Sequence, residues 1–141
     1  MEKQGKIYEF NPIIYPFRLW VGMNVPNKDI EDKFYAYKVG ENEICDITEQ
    51  NLEHSNTAAT TFPVCDKEDN WIGAFVHIWR KDKCSVGVMA HEAVHVCDFL
   101  SDRLGLVGEI DNLFSHGEAR AYFIEWVANC INEVKLNKVR E

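Results

Sequence analysis

Ser85-Val86-Gly87-Val88-Met89-Ala90-His91-Glu92-Ala93-Val94-His95-Val96-Cys97-Asp98-Phe99-Leu100 is the stretch that decides the fold. Here the apolar period turns helical, with Val86, Met89, Ala90, Ala93, Val94, Cys97 and Leu100 at spacings of three and four. Ser85 suits an N-cap and Gly105 a C-terminal stop. Downstream, a second helix is predicted from Ser115 to Leu136, with Ala121, Ile124, Val127, Ala128, Ile131 and Val134 facing inward. Upstream lie strand formers. Arg18-Leu19-Trp20-Val21 stops at Gly22, and the runs Thr60 to Cys65 and Trp71 to Trp79 flank the turn Asp66-Lys67-Glu68-Asp69-Asn70. Pro63 has no N–H for a ladder, which favours an edge or a bulge for its strand. Phe34 to Val39 reads as a strand or as a short helix, and residues 40–60 as a long surface loop. Strands followed by two helices predict an α+β domain: a mostly antiparallel N-terminal sheet, then the helix quoted above, then a second long helix.

Working outward, no internal repeat and no Gly-, Ser- or Pro-rich linker divides the 141 residues, so a single domain spanning 1–141 is expected. A chain of this size buries about 70% of its unfolded surface and needs no staples. Apolar residues at 46% and charged residues at 27% are ordinary for a globular chain and argue against disorder. Fifteen Lys and Arg against 23 Asp and Glu give a net charge of −8, which disfavours nucleic acid and anionic membrane as partners. The first ten residues lack the apolar run of a signal peptide, and Trp71 to Trp79 is too short to span a bilayer. Cysteines at 45, 65, 84, 97 and 130 form no Cys-x-x-Cys pair and no disulfide framework. Reduced, mostly buried cysteines and a cytoplasmic location are the expectation.

The chemistry is concentrated in His91-Glu92-Ala93-Val94-His95, a His-Glu-x-x-His motif inside the predicted helix. Residues four apart differ by about 40° in azimuth and one turn in height, so both imidazoles can grip one divalent ion. Glu92 points elsewhere and can reach a water on that ion rather than the ion itself. Two histidines leave a zinc site short, since a catalytic zinc takes three protein ligands and one open position. A third histidine of the His-x-x-Gly-x-x-His type is absent, because residues 96 to 101 read Val-Cys-Asp-Phe-Leu-Ser. A carboxylate from the next helix is the other standard solution, and Glu118 stands near its start. Ser115-His116-Gly117-Glu118 is equally a capping-box pattern, and Glu109 and Glu125 are rival ligands.

Three further side chains belong to this reading. Tyr122, one turn after Glu118, can donate to a developing oxyanion or simply sit at the edge of the core; His116 and Arg120 are weaker donor candidates. Asp98 lies seven residues after His91, on nearly its azimuth, where it can orient a ligating imidazole or stay solvated. His54 and His77 have no partner at ligand spacing and read as structural.

The segment His91 to Trp126, with His-Glu-Ala-Val-His-Val-Cys-Asp followed by Glu-Ala-Arg-Ala-Tyr and Glu-Trp, resembles the zincin metallopeptidases. Within them it is most similar to the gluzincins, and also to small HExxH proteins of phages and prophages. The resemblance implies a minimal zincin-like domain holding one Zn2+ per chain and hydrolysing peptide bonds in a peptide or protein substrate. It implies His91, His95 and Glu118 as ligands and Glu92 as general base. It also implies an edge strand that aligns the substrate, which puts Ala74, Phe75, Val76 and His77 in that role. The alternative is a non-catalytic zincin-like metal-binding or assembly protein of phage or prophage origin.

Overall fold

The structure is a computed structural model and describes residues 5–38, 41, 43–52, 56–105 and 117–139. Among the described residues there are six strands: β1 (Ile7–Phe10), β2 (Arg18–Met23), β3 (Phe34–Lys38), β4 (Glu43–Asp46), β5 (Ala59–Asp66) and β6 (Ile72–Ile78). They form one sheet in the order β1-β2-β6-β5-β3-β4. Only β2 and β6 pair in parallel; the other neighbours are antiparallel. The described residues also form three α-helices: α1 (Asn27–Lys33), α2 (Val86–Arg103) and α3 (Glu118–Lys135). The α+β class and the mostly antiparallel sheet are as expected.

Both faces of the sheet are covered, which is why β2 and β6 are buried nearly throughout rather than at alternate residues. Leu19, Val21, Ala74, Val76 and Ile78 face α2 and α3 and share a core with Met89, Ala93, Val96, Cys97, Leu100, Phe123, Val127 and Ile131. Trp20, Val64 and Phe75 point the other way, against Ile30 of α1, Phe34, Ile47 and Leu52. Gly73 permits the β2–β6 contact, because a Cβ there would collide with the Arg18 carbonyl and the Trp20 ring. The buried His77 is structural, as expected, its Nε2 accepting the Val25 N–H at 2.9 Å.

Of the two readings of Phe34 to Val39, the strand holds over Phe34–Lys38, and α1 is the helix just before it. Other expectations are corrected. Residues 40–60 are not one loop: they contain β4 and a short 3-10 turn at Glu49–Leu52, anchored by the buried Ile47 and Leu52. In α2, Ser85 caps as predicted by accepting the Val88 N–H, and Gly105 ends the helix at φ +66°. Its buried line, however, is Met89, Glu92, Ala93, Val96, Cys97 and Leu100, with Val86 78% and Val94 38% exposed. Wedged between sheet and α3, the helix is turned by roughly 50° from its own apolar stripe, and that rotation buries Glu92. In α3, Phe123 and Cys130 join the inward face and Ala121 is exposed. Four of the five cysteines are buried and all five are free. Among the described residues no helix is long and apolar enough to cross a membrane.

Asp66 ties the β5–β6 turn to α1. Its Oδ2 accepts from Lys33 Nζ at 2.8 Å, and Oδ1 accepts the backbone N–H of Glu68 at 2.8 Å. Burial pushes this carboxyl up, but the Lys33 and backbone hydrogen bonds and the Lys33 charge outweigh it and hold it below its usual range. A depressed acid stabilises the fold above its unfolded value and loses that contribution as the pH falls through the folded one. Asp66→Asn is therefore expected to cost about 1–2 kcal/mol at neutral pH, a range kept low because Lys33 is partly solvated. The gap from wild type should close well below pH 3.8, as read by urea midpoints at the two pH values. A gap independent of pH would rule the ion pair out.

Candidate metal centre and groove

The capped, tightly packed α2 carries both histidines on its solvent side. His91 Nε2 and His95 Nε2 are 3.2 Å apart, with ring centroids at 4.8 Å and planes at 79°. Two nitrogens each about 2.0–2.1 Å from one zinc at a tetrahedral angle stand about 3.3 Å apart. The two nitrogens thus stand at the separation of two ligands of one ion, and both side chains are exposed.

Glu92 projects about 100° round the helix from His91, into the seam between α2 and β5, where it is only 5% exposed. Its Oε2 accepts a hydrogen bond from Thr61 Oγ1 at 3.2 Å. Burial raises the carboxyl above its usual range, opposed by His91, His95 and the Thr61 hydroxyl. A carboxyl whose affinity for a proton is raised beside two potential ligands is what a general base requires. Sequence reasoning missed Thr61, since 31 residues separate it from Glu92.

The expected substrate strand is corrected. β6 is interior, its residues Gly73 to Ile78 paired with β2 on one side and with β5 on the other. Ala74, Phe75, Val76 and His77 are fully buried and their backbone groups are engaged by these neighbours, so they cannot align a substrate. The open edge is on β5. Its ladder to β3 covers Val64 to Asp66 and stops one residue before Pro63, the residue that cannot donate. Asp66 N–H bonds to the Trp71 carbonyl and Trp79 N–H to the Ala58 carbonyl, so even-numbered residues of β5 turn their backbone groups toward β6. Ala59, Thr61 and Pro63 turn theirs to the other side, where no described strand pairs with them. Beside this edge opens a groove of about 740 Å³, lined by Thr57, Ala58, Ala59, Thr60, Ser85, Gly87, Val88, His91 and Glu92.

The remaining candidates sit on the other flank of α2. Arg120 of α3 donates to Cys97 Sγ at 3.2 Å and to Asp98 Oδ1 at 3.3 Å, while Lys135 reaches the Cys84 carbonyl. The two helices are thus antiparallel, and the start of α3 lies about one turn beyond His95. Glu118 is exposed there as the first helical residue, directly after the N-cap Gly117, which sits at φ +90°. The capping box is overturned, because that pattern needs Glu118 at the third helical position. Tyr122 is 65% exposed, about 100° round α3 from the buried Phe123, so the place at the edge of the core is not met. The partner of Asp98 is Arg120 rather than an imidazole. Glu125 is exposed; Glu109, His54, Ser115 and His116 lie outside the described residues. Among the described residues, no three His, Cys, Asp or Glu side chains converge. Comparison with protein-family models, with curated proteins and with solved structures found no match.

Proposed function

We propose that this protein is a minimal zincin-like metallopeptidase, with His91 and His95 as ligands of one Zn2+, Glu92 as general base and Glu118 as third ligand. The observation that carries the reading is the 3.2 Å approach of the two Nε2 atoms, next to a buried carboxyl that opens on a groove. When bound, the ion supplies Lewis acidity to a water and to a substrate carbonyl. Glu92 takes the proton of the attacking water and returns it to the leaving amine. Thr61 holds one carboxylate oxygen, leaving the other for that proton. An extended peptide lies along the free edge of β5, bonded to the backbone of Ala59 and Thr61.

The test is metal analysis of the purified, zinc-reconstituted chain together with hydrolysis of a fluorescence-quenched peptide library. One zinc per chain is expected, with cleavage abolished by a chelator and restored by zinc. Failure to hold zinc, nickel or cobalt in stoichiometric amount would sink the reading. Stoichiometric metal without cleavage would instead assign the non-catalytic role, in which the ion fixes a binding or assembly surface.

A further inference from the structure

Gly87 is a glycine the fold does not need. It occupies the second position of α2 with no positive φ. A Cβ added there meets only Ser85 Oγ, at 3.7 Å, an ordinary contact. At Gly73, by contrast, the neighbouring backbone forbids any side chain. Apart from proline, glycine is the poorest helix former, so a glycine with room for a side chain weakens the first turn for no packing reason. What it does is leave the groove wall bare one turn before His91.

The other lining residues say what the groove takes. Ala58, Ala59, Thr60 and Val88 present small apolar groups. The Ser85 hydroxyl is engaged by Val88 N–H and the Thr60 hydroxyl by the Trp79 indole N–H at 2.8 Å. Among the described residues no lysine or arginine lines it, and the acid that does, Glu92, is held by Thr61. A charged side chain laid against these apolar groups would lose water and gain no hydrogen bond from them, whereas an apolar one loses only unfavourable hydration.

We propose that Gly87 is the specificity-determining residue of the site, keeping the groove open for a bulky uncharged side chain next to the scissile bond of a peptide aligned on β5. The proposal rests on the metallopeptidase reading of the same site. Its test is binding, not turnover. Two dipeptide hydroxamates, identical except for a leucine or a glycine side chain beside the chelating group, are titrated calorimetrically into the zinc-loaded chain. Wild type is expected to bind the leucine compound about tenfold or more tighter. Gly87→Leu should bring the ratio to one without changing zinc affinity or affinity for the glycine compound. Gly87→Ala, which should melt no lower than wild type, should keep most of the preference and shows that the position tolerates a side chain. Equal affinities in wild type, or an unchanged ratio in Gly87→Leu, would overturn the assignment to Gly87 while leaving the metal site standing. Binding of neither hydroxamate to the zinc-loaded chain would sink the peptidase reading and the proposal with it.

Discussion

Glu92→Gln is expected to bind zinc as tightly as wild type and to lose about 10²–10⁴-fold in kcat, the usual contribution of a positioned general base. The amide has nearly the shape of the carboxyl, and its oxygen can still accept from Thr61 Oγ1, so the seam between α2 and β5 stays packed. It cannot take a proton from water at neutral pH, which isolates the chemical step. Stability should rise slightly or hold. Burial disfavours the charged carboxylate at this position, and the neutral amide escapes that cost. Zinc titration and single-turnover cleavage of a quenched peptide separate the two effects. Cleavage at the wild-type rate would remove Glu92 from the mechanism; loss of zinc binding would make it a ligand instead. Thr61→Val is the companion control, removing the hydroxyl at nearly constant volume. It should lower kcat with KM unchanged, and Thr61→Ser should restore most of the loss.

The parts of this protein that were legible in the sequence are those set by local chemistry. Ser85 and Gly105 mark the ends of α2 because capping needs only the residues within one turn of the end. The turn after β5 was legible because Asp66 through Asn70 carry turn chemistry in themselves. The approach of His91 and His95 follows from their spacing on one helix. Strand order is different, since no residue in Trp71 to Trp79 says which strands flank it. The near-continuous burial of β6 is the trace of its central place, and Pro63 marked where an edge would be, but on β5. The rotation of α2 and the exposure of Tyr122 were illegible for the same reason. Which face a helix buries is settled by the elements on either side of it, here the sheet and a second helix running antiparallel. Spacing from Glu118 placed Tyr122 on α3 and could not place α3 against the histidines.

The largest effect on metal binding is expected from the imidazole pair itself. His91→Ala and His95→Ala each remove one of the two side chains already at ligand spacing, and neither has a described neighbour able to replace it. Each should weaken zinc binding by more than about 100-fold, the effect seen when even an outer partner of a zinc ligand is lost being 10–100-fold. Both positions are exposed, so the fold should survive, with metal-free melting temperatures close to wild type. Glu118→Ala ranks below them. Its carboxylate stands on the first turn of α3 rather than between the rings, so it binds the ion only once drawn to it, and part of its affinity is used in that movement. A loss of about tenfold is expected, with the helix itself little affected, because the N-cap is Gly117 and the first-turn acid adds only about 0.3–1 kcal/mol. Glu125→Ala, on the exposed face further along α3, should leave affinity unchanged. Competitive titration against a zinc-sensitive dye ranks all four variants. The ranking discriminates: equal, small losses at His91 and His95 would mean that their close nitrogens share a proton rather than an ion. A loss at Glu125 exceeding that at Glu118 would instead move the third ligand two turns along the helix.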